Sequence, residues 1–300
     1  MLTRLIEIVG ADRVLTEEPM SRHTTFRIGG PAELLVQPAE ESQIAEVIRL
    51  LKQNNLPYLV LGNGSNILVG DKGIRGVVLQ LGNAFAGCKV NGETITAQAG
   101  IKLSRLAGVA LEHSLTGLEF AAGIPGTLGG AIYMNAGAYD GQMADVIETV
   151  TFLDAEGEIQ TIHNEDCQFG YRTSLFANNP DTVILSCTLQ LQQGNPTEIR
   201  GRMDELNDRR VSKQPLNFPS AGSTFKRPEG HFAGKLIQDA GLMGFRVGGA
   251  SVSEKHAGFV VNDKGATAAE VRELMEQIQK KVKEEFGVTL EPEVKFIGEF

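Results

Sequence analysis

Three short stretches set reactive polar side chains among small or aromatic neighbours. Phe169-Gly-Tyr-Arg-Thr-Ser-Leu-Phe176 carries Arg172, whose planar guanidinium can clamp a carboxylate through two parallel hydrogen bonds. A surface arginine paired with a nearby acid explains the same stretch. Ser220-Ala-Gly-Ser-Thr-Phe-Lys-Arg-Pro228 carries Ser223 directly after a glycine, so its hydroxyl can face an open cleft; taken alone it reads as a turn serine. Leu290-Glu-Pro-Glu-Val-Lys-Phe296 carries Glu293 in a strand-like run after Pro292, where a solvated edge carboxylate is the default. Residue chemistry alone does not choose among these readings. No G-x-S-x-G elbow supports a serine hydrolase, and no H-E-x-x-H or similar ligand set occurs among the five histidines. His256 reads as structural.

Two glycine-rich segments could hold a phosphate-bearing ligand. They are Leu61-Gly-Asn-Gly-Ser-Asn-Ile-Leu68 and Gly123-Ile-Pro-Gly-Thr-Leu-Gly-Gly-Ala131, the latter extended by Met134-Asn-Ala-Gly137. Glycine lets the backbone approach a ligand closely, and successive N–H groups form a concave anion site to which Ser65 or Thr127 can add a hydroxyl. Neither segment is a Rossmann fingerprint, because Gly62-x-Gly64-x-x-Ile67 lacks the third glycine, and neither is a Walker loop. On spacing alone, tight turns account for both as well as a ligand does. The five glycines from Gly123 to Gly137 are costly to order, and a bound cofactor would offset that cost.

The elements that must position these residues are legible in part. Ile44, Val47, Ile48 and Leu51 mark a helix over 40–52, stopped at Asn54-Asn55, between strand-like runs. A strand-like run at 59–61 enters the first glycine loop and Ile67-Leu68-Val69 leaves it. Short strands with Gly-Asn and Asn-Gly turns are expected over 73–96, then a helix over 103–113. Strands are expected over 149–191 and a connecting helix over 198–210. A loop-rich stretch over 213–229 leads to a short helix over 232–240. The best helix is 267–286, with the capping box Thr267-Ala-Ala-Glu270, an apolar stripe from Val271 to Val282 and a terminal Gly287. Three parts are expected, 1–74, 75–209 and 210–300, and strands and helices without strict alternation favour an α+β class over a doubly wound sheet.

Composition narrows the function classes. Three hundred residues suffice for two or three domains, and the net charge of −9 disfavours nonspecific binding to nucleic acid or an anionic membrane. No apolar run approaches the roughly 20 residues of a membrane-spanning helix, and the N-terminus does not read as a signal peptide. Cys88, Cys167 and Cys187 are too few and too scattered for a disulfide framework or a zinc site, and read as buried thiols in a reducing cytoplasm.

Together the segments resemble the UDP-N-acetylenolpyruvoylglucosamine reductase family. The resemblance runs through Thr25-Phe-Arg-Ile-Gly-Gly-Pro-Ala32, Leu61-Gly-Asn-Gly-Ser-Asn66, Gly123-Ile-Pro-Gly-Thr-Leu-Gly-Gly130 and Asn135-Ala-Gly137. It continues through Gly170-Tyr-Arg-Thr-Ser174, Ala221-Gly-Ser-Thr-Phe-Lys226, Ala233-Gly-Lys-Leu-Ile237 and Leu290-Glu-Pro-Glu-Val294. Each piece is short; their order and spacing are specific. The resemblance implies an α+β chain with an FAD-binding fold of the vanillyl-alcohol oxidase (PCMH) type and a C-terminal α+β substrate domain. It implies bound FAD, NADPH as co-substrate, a UDP-sugar substrate, a cytoplasmic location, and no metal, nucleic acid, membrane or obligate protein partner.

Residue by residue, the resemblance assigns catalysis to Arg172, Ser223 and Glu293. It assigns cofactor binding to Gly62, Asn63, Gly64, Ser65, Asn66, Gly123, Ile124, Pro125, Gly126, Thr127, Gly129, Gly130, Asn135, Ala136 and Gly137. Lys213, Tyr171 and Lys226 are implied substrate contacts. The longer subclass of the family has a tyrosine-bearing lid; Tyr58, Tyr133, Tyr139 and Tyr171 all lie in segments assigned otherwise, so the chain resembles the shorter, lidless subclass. Two alternatives remain: another FAD oxidoreductase of this fold, such as an oxidase of a small alcohol or sugar, and a noncatalytic nucleotide binder using the glycine loops alone.

Overall fold

The computed structural model describes residues 1–300. In chain order, helix α1 (Leu2–Val9) precedes strands β1 (Val14–Pro19) and β2 (Pro31–Val36), helix α2 (Glu41–Gln53), strands β3 (Tyr58–Leu61), β4 (Ile67–Val69), β5 (Ile74–Gln80), β6 (Cys88–Asn91) and β7 (Thr94–Gln98), and helix α3 (Leu103–Glu112). Helices α4 (Leu128–Tyr133), α5 (Leu175–Asn178), α6 (Pro196–Lys213), α7 (Ala233–Asp239) and α8 (Ala268–Phe286) follow. The longer strands Ile147–Leu153, Ile159–His163 and Val183–Gln190 lie between α4 and α6. One sheet has the order β1-β2-β5-β3, with β3 and β5 parallel; a second, of five antiparallel strands, ends in β7 and β6. Mixed connectivity of this kind is an α+β architecture, as the sequence predicts.

Contacts divide the chain into two compact units. The first comprises residues 1–15, 34–63 and 77–210; the second comprises 16–33, 64–76 and 211–300.

In the first unit, α2 buries Ile44, Val47, Ile48 and Leu51, the four positions its sequence spacing selects. It ends where Asn54 Nδ2 donates to the Leu50 carbonyl at 2.8 Å and Asn55 turns left-handed at φ 52°. Helix α1, not expected from the sequence, packs against α2 and buries Leu5 and Val9, an i, i+4 pair. The Asn91-Gly92 turn joins β6 to β7 as predicted, but Gly82-Asn83 opens a short 3-10 turn instead of a hairpin. Cys167 and Cys187 are buried; burial raises the thiol of Cys167 to about 11 and that of Cys187 well above its usual range. Cys88 departs from the expected burial and is half-buried, because β6 is an edge strand of its sheet.

In the second unit, α8 carries the capping box as read from sequence. Thr267 Oγ1 accepts from Glu270 N, and Glu270 Oε2 accepts from Thr267 N. Asp71 adds a second cap, its carboxylate accepting from the Ala268 and Ala269 amides at 2.8 and 3.0 Å. Gly287 closes the helix at φ 71°. Val271, Leu274, Met275, Ile278 and Val282 are buried in the core of this unit, where α8 packs against Arg246–Val247 and Ala250–Val252 of a small antiparallel sheet completed by Val260–Asn262. Strand Lys295–Ile297 pairs in parallel with β4.

Candidate functional site

The glycine segments of the first unit are built by close backbone approach. Residues 126–129 zip onto 99–103: Leu103 N donates to Gly126 O, Leu128 N to Ile101 O and Gly129 N to Ala99 O. A Cβ on Gly129 would meet Ala99 Cβ at 2.9 Å, and one on Gly62 would stand 2.1 Å from Thr127 Oγ1. Asn63 Nδ2 donates to the Pro125 carbonyl at 2.6 Å, so the two glycine segments are joined within this unit. Gly64, Ser65 and Asn66, the remainder of the first loop, belong to the second unit.

Asn135 ties this region to Arg172. Its amide is buried and its backbone is left-handed at φ 44°. Nδ2 donates to Gln142 Oε1 and to the Gly170 carbonyl, both at 3.1 Å, and Oδ1 accepts from Ala144 N at 3.0 Å. The Asn135 side chain thus orders the loop rather than reaching outward. Within that loop Gly170 and Thr173 exchange backbone hydrogen bonds, and Ser174 Oγ, buried, donates to the Tyr133 carbonyl at 2.7 Å. Arg172 sits at the apex with φ 55°, a conformation costing about 1–3 kcal/mol for a side chain of its size. Its Nη2 donates to the Gly137 carbonyl at 3.2 Å, and its guanidinium lies 5.5 Å from the exposed Tyr171 ring. Gly137, Tyr171 and Arg172, assigned separately from sequence, therefore meet.

In the second unit a short antiparallel ladder brings two further predicted residues together. Glu293 N donates to Thr224 O at 2.9 Å, Lys226 N donates to Glu291 O at 2.8 Å, and Phe225 bridges Pro292. Thr224 is the buried anchor: its N–H reaches Gly258 O and its Oγ1 accepts from Val260 N at 2.8 Å. Ser223, exposed, precedes this anchor, and half-buried Glu293 lies opposite it. Asn66 Nδ2 donates to the Glu293 carbonyl at 3.1 Å, so the loop end Gly64–Asn66 joins the same cluster. Lys226, expected at the substrate, has its ammonium in an exposed pair with Glu291 at 3.3 Å. Lys213 ends α6, exposed, near half-buried His256, whose pKa burial and then the lysine charge push down.

Two basic residues escaped the sequence reading. Arg210 is buried, and its guanidinium lies against Gly123, where a Cβ would meet its Nε at 2.9 Å; burial pushes its pKa down. The signal available was a basic residue on the otherwise polar α6 three positions before Lys213, too common to single out. Lys102 stands just before α3 and lines a cavity of about 300 Å³ with Gln37, Gly62, Asn63, Gln80 and Thr127. A glycine wall that a side chain would fill, polar amides and a lysine together fit the pyrophosphate-bearing FAD that the sequence resemblance implies.

Comparison with known proteins agrees with this geometry. Residues 32–163 match the family model of an FAD binding domain, and residues 214–297 match the model of the UDP-N-acetylenolpyruvoylglucosamine reductase C-terminal domain. The UDP-N-acetylenolpyruvoylglucosamine reductase of Caldanaerobacter subterraneus subsp. tengcongensis is 51% identical over 299 residues, covering 100% of this chain and 98% of that protein. The crystal structure of UDP-N-acetylenolpyruvylglucosamine reductase from Thermus caldophilus superposes with a TM-score of 0.81 at 35% identity, over 95% of this chain and 98% of that one. A glucose dehydrogenase, Phl p 4.0202, shares the fold at 15% identity and a TM-score of 0.51, over 72% of this chain and 51% of its own.

Proposed function

The chain belongs to the UDP-N-acetylenolpyruvoylglucosamine reductase family, and from that premise we propose how its residues divide the work. It is an FAD-dependent oxidoreductase with the FAD-binding fold of the vanillyl-alcohol oxidase type. It uses NADPH to reduce UDP-N-acetylglucosamine enolpyruvate to UDP-N-acetylmuramate in peptidoglycan precursor synthesis. Bound FAD supplies the hydride relay, from NADPH to the enolpyruvyl methylene carbon.

The residue roles are our reading. Arg172 binds the carboxylate of the enolpyruvyl group and stabilises the negative charge that spreads into it as the methylene carbon is reduced. Glu293, in its protonated form, donates a hydrogen bond to the same group. Preorganised contacts of this kind are worth about 3–4 kcal/mol each. Ser223 Oγ gives its proton to the carbon bearing the carboxylate; an alcohol is a weak acid, but an enolate is a strong base. Gly62–Asn66 and Gly123–Gly137 receive the cofactor, while Lys213, Tyr171 and Lys226 face the UDP-sugar. The parts 1–74 and 75–209 hold FAD, and 210–300 carries the substrate, without a tyrosine lid. No helix is long and apolar enough to cross a membrane, and we assign the enzyme to the cytoplasm, where its product serves cell-wall growth, cell shape, division and the cell cycle. We assign it no protein partner.

One observation supports these roles above the others: the Thr224–Glu293 ladder holds Ser223 and Glu293 on one small frame anchored by a buried threonine. The test is spectroscopic. Pure protein should be yellow, bleach anaerobically with NADPH, and recover its colour when the enolpyruvyl UDP-sugar is added. A colourless protein that takes up no FAD would favour the noncatalytic nucleotide binder. Recovery with a simple alcohol or sugar oxidation product, and not with the UDP-sugar, would favour an oxidase of the same fold.

A further inference from the structure

Arg172 stands at φ 55°, away from the backbone conformations that a side chain of its size prefers, so the turn around it relaxes unless something outside holds it. The backbone hydrogen bonds exchanged by Gly170 and Thr173 close the turn only on itself. Two side-chain hydrogen bonds tie it to the rest of the unit. Before Arg172, the Gly170 carbonyl accepts from Asn135 Nδ2 at 3.1 Å. After it, Ser174 Oγ donates to the Tyr133 carbonyl at 2.7 Å. Both outside ends fall within three residues at the end of α4, whose last residue is Tyr133. Helix α4 is fixed in turn, because the Leu128 and Gly129 amides donate to the Ile101 and Ala99 carbonyls at 2.8 Å each. The guanidinium returns to the same segment, with Nη2 on the Gly137 carbonyl.

Ser174 uses both capacities of its hydroxyl. Its oxygen accepts from Ala177 N at 3.3 Å and caps the single turn of α5. Capping needs only a lone pair, which leaves the hydroxyl proton for Tyr133. The Tyr133 carbonyl is one of the four that a helix end leaves without an intrahelical partner. Ser174 is fully buried, so truncating it leaves that carbonyl short of its donor and frees the turn on one side.

We propose that Ser174 is a positioning residue for the reduction of the UDP-sugar: through the Tyr133 carbonyl it sets the place of the Arg172 guanidinium relative to the segment Gly123–Gly137. The inference rests on the reading of Arg172 as the carboxylate clamp and goes beyond it in naming the residue that aims the clamp. A guanidinium displaced by a fraction of an ångström still carries its charge but no longer meets both carboxylate oxygens, and such misplacement slows the step that uses it.

The test follows the two half-reactions of the flavin-loaded full-length enzyme by stopped-flow absorbance. Ser174→Ala should slow recovery of colour with the enolpyruvyl UDP-sugar about 10- to 100-fold and leave bleaching by NADPH within about twofold. Ser174→Cys, close to serine in size but a weak donor, should behave like Ser174→Ala. On an Arg172→Lys background, Ser174→Ala should slow recovery less than about threefold further, because the clamp it aims is already lost. Equal slowing of both half-reactions, a wild-type rate for Ser174→Cys, or effects of Ser174→Ala and Arg172→Lys that multiply in full would overturn the assignment and leave Ser174 a helix cap. Arg172→Lys that recovers colour at the wild-type rate would instead sink the clamp reading on which the inference rests.

Discussion

Gly62 in the first unit and Gly222 in the second stand beside residues assigned to binding and to chemistry, for different physical reasons. A side chain at Gly62 would enter the space of buried Thr127, so the position is a matter of room. Nothing lies within 4 Å of a Cβ on Gly222, but its φ of 77° is one that side chains rarely adopt, so the position is a matter of backbone angle. The first unit uses glycine to bring chain segments into contact around a polar cavity. The second uses one to turn the chain so that Ser223 is exposed while the next residue, Thr224, is buried. Each unit secures its reactive stretch with buried polar side chains, Asn135 and Ser174 in the first and Thr224 in the second. With the roles proposed above, the two units divide the labour: the first shapes a place for the cofactor and carries the proposed carboxylate clamp, and the second carries the proposed proton donor.

Four substitutions sharpen or break that contrast, in falling order of expected effect. Arg172→Lys keeps the charge but loses the planar fork, so reduction of the UDP-sugar should slow about 10²- to 10³-fold while bleaching by NADPH stays near normal. Stopped-flow absorbance of the two half-reactions checks this, and near-normal turnover would remove Arg172 from the chemistry. Gly62→Ala must displace Thr127 and should cost about 1–3 kcal/mol of stability, with a lower flavin-to-protein ratio in the purified enzyme. Full flavin content would mean that close approach at Gly62 is not needed for the cofactor. Thr267→Ala removes the cap of α8 and should lower stability by about 1 kcal/mol, read by denaturant melting, with flavin content unchanged. Gly201→Ala, in an exposed stretch of α6 with open space around it, should raise stability by about 0.5–1 kcal/mol and change neither half-reaction.

How much of this was legible in the sequence follows from the range of the forces involved. Helices α2 and α8 could be read because spacing and caps are local: Ile44 to Leu51 and Thr267 to Gly287 carry their own signals. Helix α1 carried the same kind of signal in Leu5 and Val9, over too short a span to stand out. The pairing of 224–226 with 291–293 could not be read, because register between strands some 70 residues apart is set by packing rather than by either segment. For the same reason a reading along the chain cannot see that residues 16–33 and 64–76 join the last 90 residues in one unit. Arg172, Ser223 and Glu293 looked ordinary one at a time and gained meaning only from the order of all the motifs. Arg210 and Lys102 carry no motif, and what distinguishes them, burial against Gly123 and a place in a polar cavity, exists only in three dimensions.

The division of labour is tested most directly by the two half-reactions of Ser223→Ala under anaerobic conditions. The prediction is that NADPH bleaches the flavin at close to the wild-type rate, while recovery of colour with the enolpyruvyl UDP-sugar slows by about 10²- to 10⁴-fold, the usual worth of a positioned proton donor. Equal slowing of both steps, or normal recovery with the UDP-sugar, would contradict it.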